Sequence, residues 1–429
     1  MEALKFIIFT SKQNSSLDNY LCNHEIEMFN VIPKMNDLII NTDNIMVKKC
    51  DCISLMSCCA KNGYLSWLKY LHEQSLAGSE RSLAESEQSS TEGKRSSTEG
   101  KNGYPWDEEV CENAAQGHLD CLKYLRENGC PWSMGVCTSA GGGHLECLKY
   151  LHENGCPWNV WACIFAARGH LECLKYLHEN DCPWNEWVCV NAATGGHLEC
   201  LKYLHENGCP WDEEVCRVAA KGHLDSLKYL CENGCPWNEE VYTSAANGHL
   251  DCLKYLHDNG CPWNFWACMS AAEGYLDCLK YLHNNGCPWN AVVCISAAEG
   301  HLDCLVYLHE NGCPWNEQVC SVAAQGHLEC LIYLHENGCP WNVNAYAFAA
   351  YGHLDCLKYL YEQNSAEDEN GCPWNKEAYT NAAKGHLDCL KYLHEQSLAM
   401  GENGCPWDKS DCICAAADHP ECLAYINDH

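Results

Sequence analysis

Cysteine and histidine are the residues in this sequence whose types and spacing could do chemistry. The 429 residues include 38 cysteines and 22 histidines, and both recur in fixed columns along the chain. Cys147 follows His144 by three positions, and Cys156 follows His152 by four. Thiolates and imidazoles are ligands that zinc prefers, and a zinc site needs about four of them at one point. The columns therefore raise two hypotheses, a zinc site and a thiol-rich metal or redox buffer.

Substitutions within the columns favour packing over metal binding. Ser226 stands in place of a column cysteine and Tyr275 in place of a first histidine. The second histidine is replaced by Arg126, Cys231 or Tyr361. The cysteines follow a repeat in a chain with no convincing export signal, so we expect reduced thiols acting as small core residues and no bound metal. Equivalent cysteines of stacked helices would lie too far apart for disulfides, although a bridge between different columns remains open.

Paired glutamates are the other candidates, because two carboxylates can serve as a general acid and a general base. The pairs at 108–109, 213–214 and 239–240 fall in predicted first turns of helices, where the helix dipole favours acids. They recur, whereas a catalytic constellation is normally unique in a chain. The sequence contains no P-loop, dinucleotide-binding glycine pattern or nucleophile elbow. We therefore predict that the protein is not an enzyme and uses no cofactor.

A repeated phrase must position all of these side chains. Residues 143–159 read GHLECLKYLHENGCPWN, and close copies recur almost to the last residue. Trp132, Trp158 and Trp184 are 26 residues apart, and later intervals lengthen to 27 or 33 where residues are inserted. A period of this length is typical of solenoids.

Each repeat reads as two helices. Asn238 is a good N-cap for a first helix, which ends near an alanine pair that permits close approach to a neighbour. The second helix ends at NGCP, because glycine suits a left-handed cap and proline forbids continuation. Neither helix can bury its apolar side alone, so the sequence predicts an all-α protein, an α-solenoid of stacked helix-turn-helix repeats. One expected buried stripe consists of Leu145, Cys147, Leu148 and Leu151.

The repeat also divides the chain. Residues 1–50 do not match the phrase and are expected to form a degenerate cap or a small docking element. Residues 51–74 form a degenerate first repeat, and residues 75–103 a polar insertion with too little apolar content to pack, which is predicted to be disordered. Residues 104–429 hold the array, which ends in a C-terminal cap.

The second helix resembles the ankyrin-repeat family. The phrase GHLECLKYLHENGCPWN aligns without a gap with the ankyrin phrase GHLEVVKLLLEAGADVN, and the resemblance covers roughly residues 51–429. The first helix keeps only the alanine pair of the family, as at Ala245 and Ala246, and the length of the β-hairpin finger is missing. The chain is similar to shortened, Cys-Pro-Trp-bearing arrays of large DNA viruses and protists. The resemblance implies a two-helix stack used as an interaction module, without a finger-lined groove.

Net charge narrows the class of partner. The formal charge is −31, from 58 acidic and 27 basic residues, and such a surface repels nucleic acid and anionic membranes. No apolar run approaches the roughly 20 residues needed to span a bilayer. We therefore expect a cytoplasmic monomer that binds a protein partner, one that could carry a basic segment.

Comparison of the repeats separates a constant scaffold from variable positions. Variation concentrates on the first helix, two, three and six residues after each tryptophan, and these positions should form one continuous stripe. Large apolar side chains exposed there would indicate an interaction site, with acidic residues between two aromatic groups. Alternatively, the aromatic side chains pack between neighbouring first helices. The predicted partner-binding residues are Trp161, Ile164, Trp187, Glu213, Glu214, Glu239, Glu240, Phe265, Trp266 and Met269.

The sequence thus predicts a non-enzymatic scaffold or adaptor that binds a protein through the variable face of its first helices. One alternative is a substrate-recruiting subunit of a ubiquitin-ligase assembly, with residues 1–50 docking the ligase; the other is the thiol-rich buffer. The repeated tryptophan is predicted to cover the seam between repeats. Truncation of an interior one, such as Trp237 to alanine, is then expected to cost about 3–5 kcal/mol.

Overall fold

The computed structural model describes residues 56–73, 75, 107–364, 374–401 and 407–429, and within these ranges every regular element is a helix. The chain divides into an N-terminal half, residues 1–210, and a C-terminal half, residues 211–429. The predicted segment 1–50 lies outside the described residues, as does the predicted insertion 75–103 apart from Ser75.

The N-terminal half consists of helical pairs. The pair α1 and α2 includes residues 56–61 and 65–73, which fall in the predicted degenerate first repeat. The later pairs follow the repeat, and their helices are α3 (Glu108–Ala114), α4 (Leu119–Glu127), α5 (Met134–Gly141), α6 (Leu145–Glu153), α7 (Val160–Ala166), α8 (Leu171–Glu179), α9 (Glu186–Thr194) and α10 (Leu198–Glu206).

The C-terminal half continues the alternation of a first and a second helix. Its helices are α11 (Glu213–Ala219), α12 (Leu224–Glu232), α13 (Glu240–Ala246), α14 (Leu250–Asp258), α15 (Phe265–Ala272), α16 (Leu276–Asn284), α17 (Ala291–Ala298), α18 (Leu302–Glu310), α19 (Glu317–Ala323), α20 (Leu328–Glu336), α21 (Val343–Ala349), α22 (Leu354–Asn364), α23 (Lys376–Ala383), α24 (Leu387–Ala399), α25 (Lys409–Ala415) and α26 (Pro420–Asp428).

Local sequence explains where the helices begin and end. Before α7, the Asn159 side chain accepts a hydrogen bond from the backbone N–H of Trp161 at 3.0 Å. After α6, Gly155 adopts a left-handed φ of 73°. The N–H of Gly155 then donates to the carbonyl of His152, and the N–H of Cys156 to that of Leu151. This is the Schellman arrangement that the NGC sequence predicts.

The core lies between the two helices of each pair and between neighbouring pairs. Cys147, Leu148 and Leu151 are buried as predicted, whereas Leu145, at the start of α6, is only half-buried. First helices of successive repeats pack against one another within each half, and small residues allow their close approach. At Gly141, for example, an added Cβ would lie 2.7 Å from the Ala162 carbonyl oxygen of the next repeat. Each half is therefore an α-solenoid of stacked pairs.

Candidate functional site

The N-caps of the first helices place the variable side chains at one end of each helix. The side-chain oxygen of Asn159 accepts a hydrogen bond from the backbone N–H of Trp161 at 3.0 Å, and that of Asn264 accepts one from the backbone N–H of Trp266 at 3.0 Å. Asp212 accepts in the same way from the N–H of Glu214 at 3.1 Å. The third position after each repeat tryptophan therefore lies in the first turn.

Three indoles at this third position are exposed. Trp161 is 55% exposed and Trp187 is 53% exposed, both in the N-terminal half, and Trp266 in the C-terminal half is 48% exposed. Among these first helices, Met134 is also 48% exposed. Exposed large apolar groups at equivalent positions of adjacent repeats are typical of interaction surfaces.

Other residues of the predicted surface are less accessible. Ile164 is only 4% exposed, so its expected place on the open face is wrong. It is buried, as is Val190 at the same position of α9, which is 6% exposed. Phe265 and Met269 are half-buried, and the Phe265 ring lies against Trp266 with the ring centroids 4.7 Å apart.

The predicted acidic residues differ in their pairing. The carboxylate of Glu214 accepts two hydrogen bonds from the guanidinium of Arg217, one of them from Nε at 2.6 Å. The hydrogen bonds from Arg217 lower the pKa of Glu214. Glu213, Glu239 and Glu240 are exposed. Glu239 accepts a hydrogen bond from the Asn264 side-chain amide at 2.6 Å.

A hollow of about 370 Å³ lies among the acidic and aromatic side chains of the C-terminal half. It runs from the end of α11 across α13 to the first turn of α15. Its lining residues are Arg217, Glu239, Glu240, Thr243, Ser244, Asn264 and Trp266.

The second helices carry an aromatic arrangement that sequence reasoning missed. The imidazole of His309, in the last turn of α18, stacks on Trp315 at the start of the next repeat, with the ring centroids 3.9 Å apart. Its Nδ1 lies 2.9 Å from the hydroxyl of Tyr333 in the next repeat. The same triple recurs at His152, Trp158 and Tyr176. The recurrence of His, Trp and Tyr together at fixed offsets was the signal in the sequence that could have predicted this arrangement. It shows that the repeat tryptophans contribute to the stacking of one repeat on the next, although most are half-buried.

The described cysteines are free thiols, and most are buried. Burial raises the pKa of Cys173 and of Cys330 to about 11, so these thiols stay protonated near neutral pH. Cys414 is exposed. Within the described ranges, no group of three or more His, Cys, Asp or Glu side chains is arranged to hold a metal ion. No helix among the described residues is both long and apolar enough to cross a bilayer.

Part of the repeat array matches a known family. The family model of ankyrin repeats (many copies) matches residues 137–178 and 160–205. No curated protein matches the sequence.

Several solved structures are similar at low identity. The pentatricopeptide repeat protein PPR10 in complex with an 18-nt psaJ RNA element is 13% identical, with a TM-score of 0.37, over 96% of this chain and 67% of that chain. The PPR10 structure from maize is 12% identical, with a TM-score of 0.28, over 93% and 72% of the two chains. At these scores the likeness carries no argument about function. Residues 137–205 match ankyrin repeats, and the helical pairs on either side repeat that unit, so the chain carries an ankyrin-like repeat array.

Proposed function

We propose that the chain is a non-enzymatic scaffold or adaptor that binds a protein partner through the exposed face of its first helices. Ankyrin repeats in general indicate protein–protein interaction scaffolds. The observation that carries the proposal is the exposure of Trp161, Trp187 and Trp266 at equivalent positions of different repeats. Their exposed indole surface is costly to leave in water, and a partner would remove it from water.

Charge supports a partner with basic groups. The chain carries a formal charge of −31, and Glu213, Glu239 and Glu240 lie exposed on first helices or their caps. Opposite charge on a partner would speed association and select the register of binding. The proposal includes no catalytic step and places the protein in the cytoplasm.

The thiols favour this function over a thiol-rich buffer. A buffer needs accessible thiolates, whereas burial holds Cys121, Cys173 and Cys330 protonated by raising the pKa of each thiol to about 11. These side chains fill the core between helices.

Affinity capture from cells with the full chain as bait tests the proposal. Wild-type protein is compared with a Trp161→Ala, Trp187→Ala, Trp266→Ala triple variant, and captured proteins are quantified by mass spectrometry. Leu398→Ala is the matched control, because Leu398 is 67% exposed on the second helix α24. The proposal predicts a partner captured by wild type and by the control but lost with the triple variant. Equal capture by all three baits would refute it.

A further inference from the structure

We propose that the hollow between Glu239, Glu240 and Trp266 binds an arginine side chain presented by an extended segment of the partner. The inference rests on the proposed function and names the chemistry of the partner at one part of the same surface. The hollow measures about 370 Å³ and opens to solvent beside an indole that is 48% exposed.

The hollow carries a net negative charge, because α13 lacks the cationic partner that the neighbouring helix α11 has. In α11, Glu214 at the third position pairs with Arg217 at the sixth, one helical turn later. In α13 the third position is Glu240, but the sixth is Thr243, which cannot supply a cation. Arg217 reaches the edge of the hollow, yet its Nε and Nη2 already donate to Glu214. Arg217 also interacts electrostatically with Glu240, and the three charged side chains that line the hollow, Arg217, Glu239 and Glu240, leave one formal negative charge there.

The polar groups of the hollow are held in place before any ligand arrives. The amide nitrogen of Asn264 donates to Glu239 at 2.6 Å, while its oxygen accepts from the backbone N–H of Trp266 at 3.0 Å. One side chain therefore links the carboxylate of one repeat to the helix start of the next. Such preorganisation lowers the entropy lost when a ligand binds.

Trp266 supplies the second half of the recognition. Phe265 packs against the indole at a centroid distance of 4.7 Å, which limits its rotation. A guanidinium stacked on an indole gains a cation–π interaction, and its planar fork also matches a carboxylate in a two-point hydrogen bond. A lysine ammonium is a compact, strongly hydrated charge without that fork, so the geometry favours arginine over lysine. Citrulline has the shape of arginine without its charge, so it would lose the cation–π interaction and the charge assistance of the hydrogen bonds.

In the N-terminal half, the glutamate pair and the exposed indole occur in different places. Glu108 and Glu109 are exposed in α3, but the third position of the next repeat is Gly135, which has no ring. Trp161 is exposed in α7, but the preceding repeat has Met134 and Gly135 where the C-terminal half has glutamates. The pair Glu108 and Glu109 therefore serves as a matched control for negative charge without an adjacent indole.

The test uses the full-length protein and a fluorescein-labelled Gly-Ser peptide containing two arginines, with binding followed by fluorescence anisotropy at low salt. Matching peptides carry lysine or citrulline in place of arginine. The variants are Glu239→Gln with Glu240→Gln, and Trp266→Ala. The controls are Glu108→Gln with Glu109→Gln, and Phe348→Ala, which removes an exposed aromatic ring away from the hollow.

Loss of both charge-assisted pairs is expected to weaken arginine-peptide binding about tenfold or more, and loss of the indole about fivefold. The control variants are expected to stay within about twofold of wild type, and the citrulline peptide is expected not to bind. Equal losses in the two glutamate double variants would overturn the inference, because they would show that the overall negative charge attracts any cation. Equal binding of the lysine and arginine peptides would also overturn it.

This outcome is separable from that of the proposed function. If the hollow variants bind the arginine peptide as wild type does, while capture of the partner still requires the three tryptophans, the arginine site is wrong but the proposed interaction surface is supported. If capture is unaffected by the triple variant, the scaffold proposal falls whatever the peptide does.

Discussion

The link between successive second helices predicts a specific loss of stability when it is cut. In the C-terminal half, His309 stacks on Trp315 and lies 2.9 Å from the hydroxyl of Tyr333 in the next repeat. Tyr333→Phe removes only the hydroxyl, so the free energy of unfolding should fall by about 1 kcal/mol, the net value of one hydrogen bond. Trp315→Ala removes a half-buried indole that stacks on His309, so the expected cost is about 3 kcal/mol, at the low end of the range for truncation of a core tryptophan.

The chain offers a natural comparison at the repeat where Cys231 stands in place of the histidine. Trp237 there has no imidazole on which to stack, so Trp237→Ala should cost about 2 kcal/mol, roughly 1 kcal/mol less than Trp315→Ala. This lies below the range expected from the sequence, because Trp237 is half-buried and also lacks the stacked imidazole.

Urea unfolding followed by far-UV circular dichroism measures these losses, with the curves fitted to a nearest-neighbour repeat model. The expected order of destabilisation is Trp315→Ala, then Trp237→Ala, then Tyr333→Phe. Stabilities of all three variants within about 0.3 kcal/mol of wild type would refute the idea that these side chains join one repeat to the next.

Three further predictions concern packing, pH and thiol access. Gly326→Ala should cost about 1 kcal/mol more than Gly312→Ala by urea unfolding. Both glycines have positive φ, but an added Cβ at Gly326 would lie 2.8 Å from Nδ1 of His353, whereas an added Cβ at Gly312 would meet nothing within 4 Å. Equal costs of the two substitutions would exclude close packing at Gly326. Burial, together with the flanking histidines, lowers the pKa of His144 and His386, so the folded state favours their neutral forms. Their stabilising contribution is therefore present above a pH of about 6.5 and lost as the pH falls below it. The urea concentration at the unfolding midpoint should drop below that pH, and it should drop less steeply in His386→Asn. A midpoint independent of pH would contradict this prediction. An aromatic disulfide reagent should react rapidly with Cys414 in the native protein. Cys414→Ser should therefore remove one rapidly reacting thiol, whereas Cys173→Ser should remove none. Fast reaction of Cys173 would contradict its burial.

Much of the fold follows from local sequence rules. The cap residue before each first helix, the glycine after most second helices and the 26-residue period suffice to predict stacked helical pairs, and the structure confirms them. Gly155 shows why, since its left-handed φ of 73° and the two hydrogen bonds around it depend only on neighbouring residues.

The surface is harder to predict because it depends on how each first helix is rotated about its own axis. The third and sixth positions look alike in the sequence, since both vary between repeats and both carry apolar residues. Packing against neighbouring helices leaves Trp161 exposed and buries Ile164 only three positions later. The contact between His309 and Tyr333 is likewise set by the stacking of repeats, and no single repeat contains both partners of that bond.

Oxidative footprinting of the protein in complex with a captured partner tests the central claim most directly. The account predicts that the partner protects Trp161, Trp187 and Trp266 from oxidation, because each of these indoles is exposed on its first helix. Trp374, which is 3% exposed, should be oxidised little with or without the partner. Oxidation of the three exposed indoles at the same rate in the free and bound protein, with protection confined to second helices, would contradict the account.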